Sequence, residues 1–169
     1  AFAPIVAEVA AQSTQAKVPL EQRSVYQRAF VQEVNLWQRI EAIRRDGVAG
    51  QVQSTLERWL SADFRARDPE TTRWVADMIR GTPAAGMIGC AQAIKQLDFT
   101  EQLSRIALPT LVIAGEKDPG SPVAAAQAIH ERIKGSQLEV IPDCLHQPPI
   151  EAPDKFNRIL GDFLAGLPR

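Results

Sequence analysis

A chain of 169 residues with 45% apolar content is long enough to bury a core and too apolar to be read as disordered. Nineteen Lys and Arg nearly balance 20 Asp and Glu, so no basic field points to nucleic acid or to an anionic membrane surface. No apolar run approaches the roughly 20 residues of a membrane helix, and Ala1-Phe2-Ala3-Pro4 lacks the basic start and apolar stretch of a signal peptide.

The first two thirds read as helical. A short Ala/Val-rich segment over 4–12 closes at Gln12-Ser13-Thr14. From Leu20 to Asp46 runs a long helical pattern with Val25, Ala29, Val34, Trp37, Ile40 and Ile43 at spacings near three and four, ended by Gly47 as a left-handed cap. A second helix, Val48 to Leu60, carries Val52, Leu56 and Trp59 on one side. Asp68-Pro69-Glu70 has the form of an N-cap, a proline at the first helical position and an acid in the first turn, opening a helix to Arg80 that Gly81 stops. Another helix follows from Pro83 to about Leu97, with Thr82 as cap. Trp37, Trp59, Phe64, Trp74, Met78 and Met87 supply large apolar surface, most of it expected between helices.

Near residues 96–99 the pattern changes. A short helix from Thr100 to Ile106 leads to a strand over 109–114, then a helix from Pro122 to Lys134 capped by Ser121 and closed by Gly135. A second strand over 137–141, a proline-rich loop and a last helix over 153–165 complete a β-α-β-α run. Nothing earlier in the chain reads as a strand. Two buried parallel strands need neighbours on their edges and helices on both faces, so the sheet is expected to be completed by another polypeptide, by a swapped copy or by residues outside this sequence.

The chemistry concentrates in the loops that follow the two strands. Asp118 lies in Gly115-Glu116-Lys117-Asp118-Pro119-Gly120-Ser121-Pro122, and His146 follows the second strand. An acid and an imidazole at the ends of neighbouring parallel strands are two thirds of a nucleophile–His–acid triad. The alternative for Asp118 is a helix N-cap, but Ser121-Pro122 is the better cap; Glu116 is the runner-up acid. For His146 the alternative is a loop imidazole bonded to backbone. His130 sits in mid-helix and reads as surface. None of Ser13, Ser24, Ser54, Ser61, Ser104, Ser121 or Ser136 lies in a G-x-S-x-G turn, and neither does Cys90 or Cys144. The cysteines have no metal-ligand spacing and define no disulfide framework, so a reducing, cytoplasmic setting is the default and both read as packing residues. No metal site is indicated.

From about residue 35 onward the chain resembles the α/β-hydrolase superfamily, and within it the 3-oxoadipate enol-lactonase-like branch. Leu108-Pro109-Thr110-Leu111-Val112-Ile113-Ala114-Gly115-Glu116-Lys117-Asp118-Pro119 with Pro122 is similar to the family's strand and acid loop. His146, Glu151, Pro153, Phe156, Asn157 and Phe163-Leu164 resemble its histidine loop and last helix. Glu57-Arg58-Trp59-Leu60 with Phe64, and Gly86-Met87-Ile88-Gly89-Cys90, look like the helical cap of those lactonases. Leu145 is bulkier than the residue the family usually carries before its histidine.

The resemblance implies an α/β fold: a helical cap-like region over 1–96, then the C-terminal portion of a hydrolase over 97–169. It implies a serine nucleophile on a strand–turn–helix elbow, which these residues lack. It implies hydrolysis of a small ester or lactone, with Asp118 and His146 as acid and base, no cofactor, and a place in aromatic degradation. Trp59, Trp37 and Met87 are candidates to line the substrate pocket. The competing expectation is a non-catalytic helical binding or assembly module that kept hydrolase-like loops.

Overall fold

The computed structural model describes residues 30–96 and 99–167. The helix expected over 4–12, the start of the long helix, and Leu97-Asp98 at the expected boundary lie outside the described residues. Helix α1 spans Phe30–Asp46. A 3-10 turn, Val48–Gln51, then leads into α2, Val52–Trp59, so the single helix expected from Val48 to Leu60 is two pieces. Gly47 has the positive φ expected of it, 72°, but its ψ of 179° is extended and not that of a left-handed helical cap.

A helix that periodicity does not show follows, α3, Ala62–Arg67. Its N-cap is Ser61, whose hydroxyl accepts from Phe64 N at 3.1 Å. Helix α4, Pro69–Gly81, starts as expected, with the Asp68 carboxylate accepting from Thr71 N at 2.9 Å. Helix α5, Ala84–Gln96, closes the helical part. Thr82 does not act as its cap; its hydroxyl donates back to Met78 O at 3.0 Å.

One core holds these helices. Ile43, Val48, Val52, Leu56, Leu60, Phe64, Val75, Ala76 and Ile79 are buried together, with Trp59, Met87, Ile88 and Ile150 packed against them. Ile150 comes from the far end of the chain and ties the two parts. Trp74 and Met78, expected between helices, are instead 56% and 45% exposed. They lie four residues apart on one stripe of α4, while Val75, Ala76 and Ile79 form the stripe that faces the core.

After a 3-10 turn over Thr100–Arg105, strand β1 (Leu111–Gly115) pairs in parallel with β2 (Gln137–Ile141), from Leu111 opposite Gln137 to Gly115 opposite Ile141. Among the described residues the sheet has these two strands. Helix α6, Val123–His130, crosses between them. It begins after Pro122 without a side-chain cap, so Ser121 is not the cap expected, and it ends short of Lys134. There the Ser136 hydroxyl donates to His130 O at 3.0 Å and meets His130 Nδ1 at 2.8 Å, which makes His130 half-buried and not simply surface. A short helix α7, Pro148–Glu151, interrupts the proline-rich loop before α8, Pro153–Ala165.

Parallel strands send both following loops to the same end of the sheet. There the backbone of Cys144-Leu145 passes directly over Gly115. A methyl group at Gly115 would lie 1.9 Å from Leu145 O and 2.7 Å from Cys144 O. Gly115→Ala therefore forces backbone apart, and we expect a loss of about 3 kcal/mol in urea unfolding. A midpoint like that of the wild type would contradict this packing.

Candidate active site

The acid loop is fastened before it presents its acid. Glu116 N donates to Ile141 O at 3.0 Å and Lys117 N to Cys144 O at 2.9 Å, so the turn after β1 is bonded to the end of β2 and to the histidine loop. Asp118 is then 7% exposed. Its Oδ1 accepts from Gly120 N at 2.7 Å, and its Oδ2 lies 2.7 Å from His146 Nδ1. Burial alone pushes this carboxyl up. The hydrogen bonds from His146, Gly120 N and Ser121 N, with the nearby imidazole charge, outweigh it and hold the carboxyl below the usual carboxylate range.

That fixes the tautomer of the neutral imidazole. An ionised carboxylate accepts and does not donate, so Nδ1 carries the proton given to Asp118 and Nε2 is left with its lone pair. On the ring's face stands Trp59, stacked at 6.2 Å between centroids and 27° between planes. Trp59 thus brings the helical part onto the imidazole. Of the other two candidate pocket residues, Met87 packs on the helical core and Trp37 lies on α1, 37% exposed.

Glu116 is not the acid partner. Its carboxylate accepts from Asp143 N at 3.1 Å, bracing the turn after β2 where Asp143 takes a left-handed φ of 61°. Lys117 Nζ closes the same turn on Asp143 at 2.5 Å. Cys144 is buried as expected, and burial first, then the charges of Glu151 and Asp143, push its thiol up against the opposing pull of Lys155 and Arg67. Cys90, expected to be packed inside, is exposed on α5. Among the described residues no group of three or more His, Cys, Asp or Glu converges as a metal site, and no helix is long and apolar enough to cross a membrane.

Sequence reasoning did not assign a role to Glu151. It is 7% exposed, and its two oxygens accept from two backbone N–H groups, Leu145 and Ser61, each at 2.6 Å. One donor precedes the histidine and the other caps α3, so a single carboxylate clips the histidine loop to the helical part. Arg67 strengthens the clip by donating to Glu151 O at 3.3 Å. The partners lie 6 and 90 residues away, and no local pattern encodes the second. Glu151→Ala strands two half-buried donors and is expected to cost about 3 kcal/mol in urea unfolding. Glu151→Gln keeps one acceptor and should lose about half as much; an Ala variant as stable as the wild type would refute the clip.

Comparison with known proteins bears on this arrangement. A family described as the alpha/beta hydrolase fold matches residues 45–153. The 3-oxoadipate enol-lactonases 1 and 2 of Acinetobacter baylyi are 33% and 34% identical over 129 and 130 residues. Each alignment takes in 76% of this chain and 48% of the relative. The crystal structure of the enol-lactonase from Burkholderia xenovorans LB400 superposes with a TM-score of 0.75 at 27% identity, over 77% of this chain and 50% of that one. The chain thus spans about half the length of the curated relatives it matches.

Proposed function

The chain belongs to the alpha/beta hydrolase fold family, and from that premise we propose that it supplies the acid and the base for hydrolysis of a small ester or lactone. The observation that carries the reading is the 2.7 Å contact between Asp118 Oδ2 and His146 Nδ1 at the shared end of two parallel strands. A serine outside these 169 residues would give its proton to His146 Nε2 as its oxygen attacks the substrate carbonyl. The tetrahedral adduct collapses, the C–O bond to the alcohol part breaks, and the imidazolium returns the proton to the leaving oxygen. Water then repeats the sequence on the acyl-serine with the same base. With an enol-lactone the oxygen released is an enol, which becomes a ketone in solution.

In this reading the described residues 30–96 belong to the cap and 99–167 to the C-terminal part of the hydrolase. Trp59 covers the histidine, and Met87 and Trp37 contribute to the pocket wall. A further polypeptide segment carries the nucleophile and completes the sheet. The names of the Acinetobacter relatives favour a lactone over an acyclic ester.

The test is turnover of p-nitrophenyl esters and of an enol-lactone by the 169 residues, alone and together with the segment that bears the serine. Hydrolysis is expected only from the combination. Turnover by the 169 residues alone would put the nucleophile within them. No turnover from the combination would favour the non-catalytic module.

A further inference from the structure

One peptide unit joins the two loops that meet at the site, and Glu151 holds its far side. The carbonyl of Cys144 accepts from Lys117 N at 2.9 Å, and the N–H of Leu145, the other end of the same peptide, donates to Glu151 Oε2 at 2.6 Å. A trans peptide directs its C=O and its N–H to opposite sides, so this unit is held from both. Lys117 directly precedes Asp118, and Leu145 directly precedes His146. The next peptide is fixed as well, since Leu145 O passes so close to Gly115 that a methyl group there would lie 1.9 Å from it. The direction in which the chain enters His146 is therefore set by three contacts, and one of them is the carboxylate of Glu151.

The other oxygen of that carboxylate belongs to the helical part. Glu151 Oε1 accepts from Ser61 N at 2.6 Å, two residues beyond Trp59, whose ring is stacked on His146. A carboxylate bonded to Leu145 alone could follow the loop wherever it moved. Anchored on Ser61, it transmits the position of the helical part to the peptide before the histidine. The His146 side chain is 40% exposed, so packing does not by itself choose the orientation of the ring. That choice falls to the bond with Asp118. A peptide free to turn about the Lys117 bond would carry Nδ1 away from the 2.7 Å at which that bond is made.

We propose that Glu151 is a positioning residue, which couples the helical part to His146 and keeps the ring in the Nδ1–H tautomer. The proposal rests on the reading of His146 as the base, but its test needs no turnover. The full chain is labelled with 15N at histidine, and the ring signals of His146 and His130 are recorded at a pH where both rings are neutral. They report which nitrogen carries the proton. His130, bonded to Ser136, is the internal control. Wild-type His146 is expected to be mainly Nδ1–H, and Glu151→Ala to lower its ratio of Nδ1–H to Nε2–H by about tenfold or more while His130 keeps its pattern. A carboxylate that only stabilised the fold would leave the ratio in the folded protein unchanged. A second pair of variants isolates the anchor. Ser61 has a φ of −60° and follows an extended Leu60, a backbone that proline adopts without strain. Ser61→Pro therefore removes the N–H given to Glu151, whereas Ser61→Ala keeps it, and both lose the hydroxyl cap. Ser61→Pro should shift His146 in the same direction as Glu151→Ala, and Ser61→Ala should not. A folded Glu151→Ala protein with the wild-type ratio, equal ratios in the two Ser61 variants, or an equal change at His130 would each overturn the proposal. The Ser61 pair decides where Glu151→Ala does not fold. Absent ester turnover with these shifts present would instead count against the hydrolase reading and leave the positioning intact.

Discussion

His146→Ala is expected to reduce ester or lactone turnover by about 10⁶-fold in the assembly that contains the nucleophile, the scale seen when a triad base is deleted. The ring has one task that no neighbour can take over. Its Nδ1 proton is held by Asp118 at 2.7 Å, so the lone pair at Nε2 is the one presented to a hydroxyl. Water is a poorer base and is not held in that orientation. The same substitution should barely disturb the fold. His146 has a side chain 40% exposed, and its loop is fixed by other groups, the Glu151 carboxylate on Leu145 N and the Cys144 carbonyl on Lys117 N. Losing one hydrogen bond and a stacking contact with Trp59 should cost about 1–2 kcal/mol in urea unfolding. Turnover within tenfold of the wild type, with the fold intact, would remove His146 from the chemistry.

What was legible in the sequence followed from how local each signal is. Thr110 to Ala114 is an uninterrupted β-branched and apolar run, and Gln137 to Ile141 alternates; the second forms its strand over the residues expected, and the first is displaced from 109–114 to Leu111–Gly115, because Pro109 cannot donate to a ladder and Gly115 still pairs with Ile141. Asp118 and His146 were visible because each follows its strand by a few residues. Helix α3 was not, since six residues between Ser61 and Asp68 show too little periodicity to register. Nor could periodicity choose between the Trp74/Met78 stripe and the Val75/Ala76/Ile79 stripe of α4, because both are apolar at helical spacing and the choice is made by what packs opposite. The groups that join the two parts are long-range. Glu151 finds Ser61 across 90 residues, and Arg39 finds Thr55 from another helix, contacts that no sequence window contains.

Asp118→Asn should lower turnover by about 10⁴-fold while leaving the site's shape in place, for a reason that the two oxygens of Asp118 make specific. Oδ1 is committed to the Gly120 N–H at 2.7 Å, a donor that needs an acceptor. In the amide the carbonyl oxygen takes that position, which turns the NH₂ toward His146 Nδ1. Nδ1 then accepts where it formerly donated, the ring proton moves to Nε2, and the imidazole can no longer take a proton from serine. The pH dependence of stability gives an independent reading of the same carboxylate. Because its folded-state value is held below that of the unfolded chain, Asp118 stabilises the protein at pH values above about 4, and this contribution fades as pH falls through the depressed value. Wild type should therefore be more stable than Asp118→Asn at pH 7, and the gap in urea midpoint should close on acidification below about pH 4. A gap that stayed constant across that range would mean the carboxylate is not held by His146, Gly120 and Ser121 as the geometry requires.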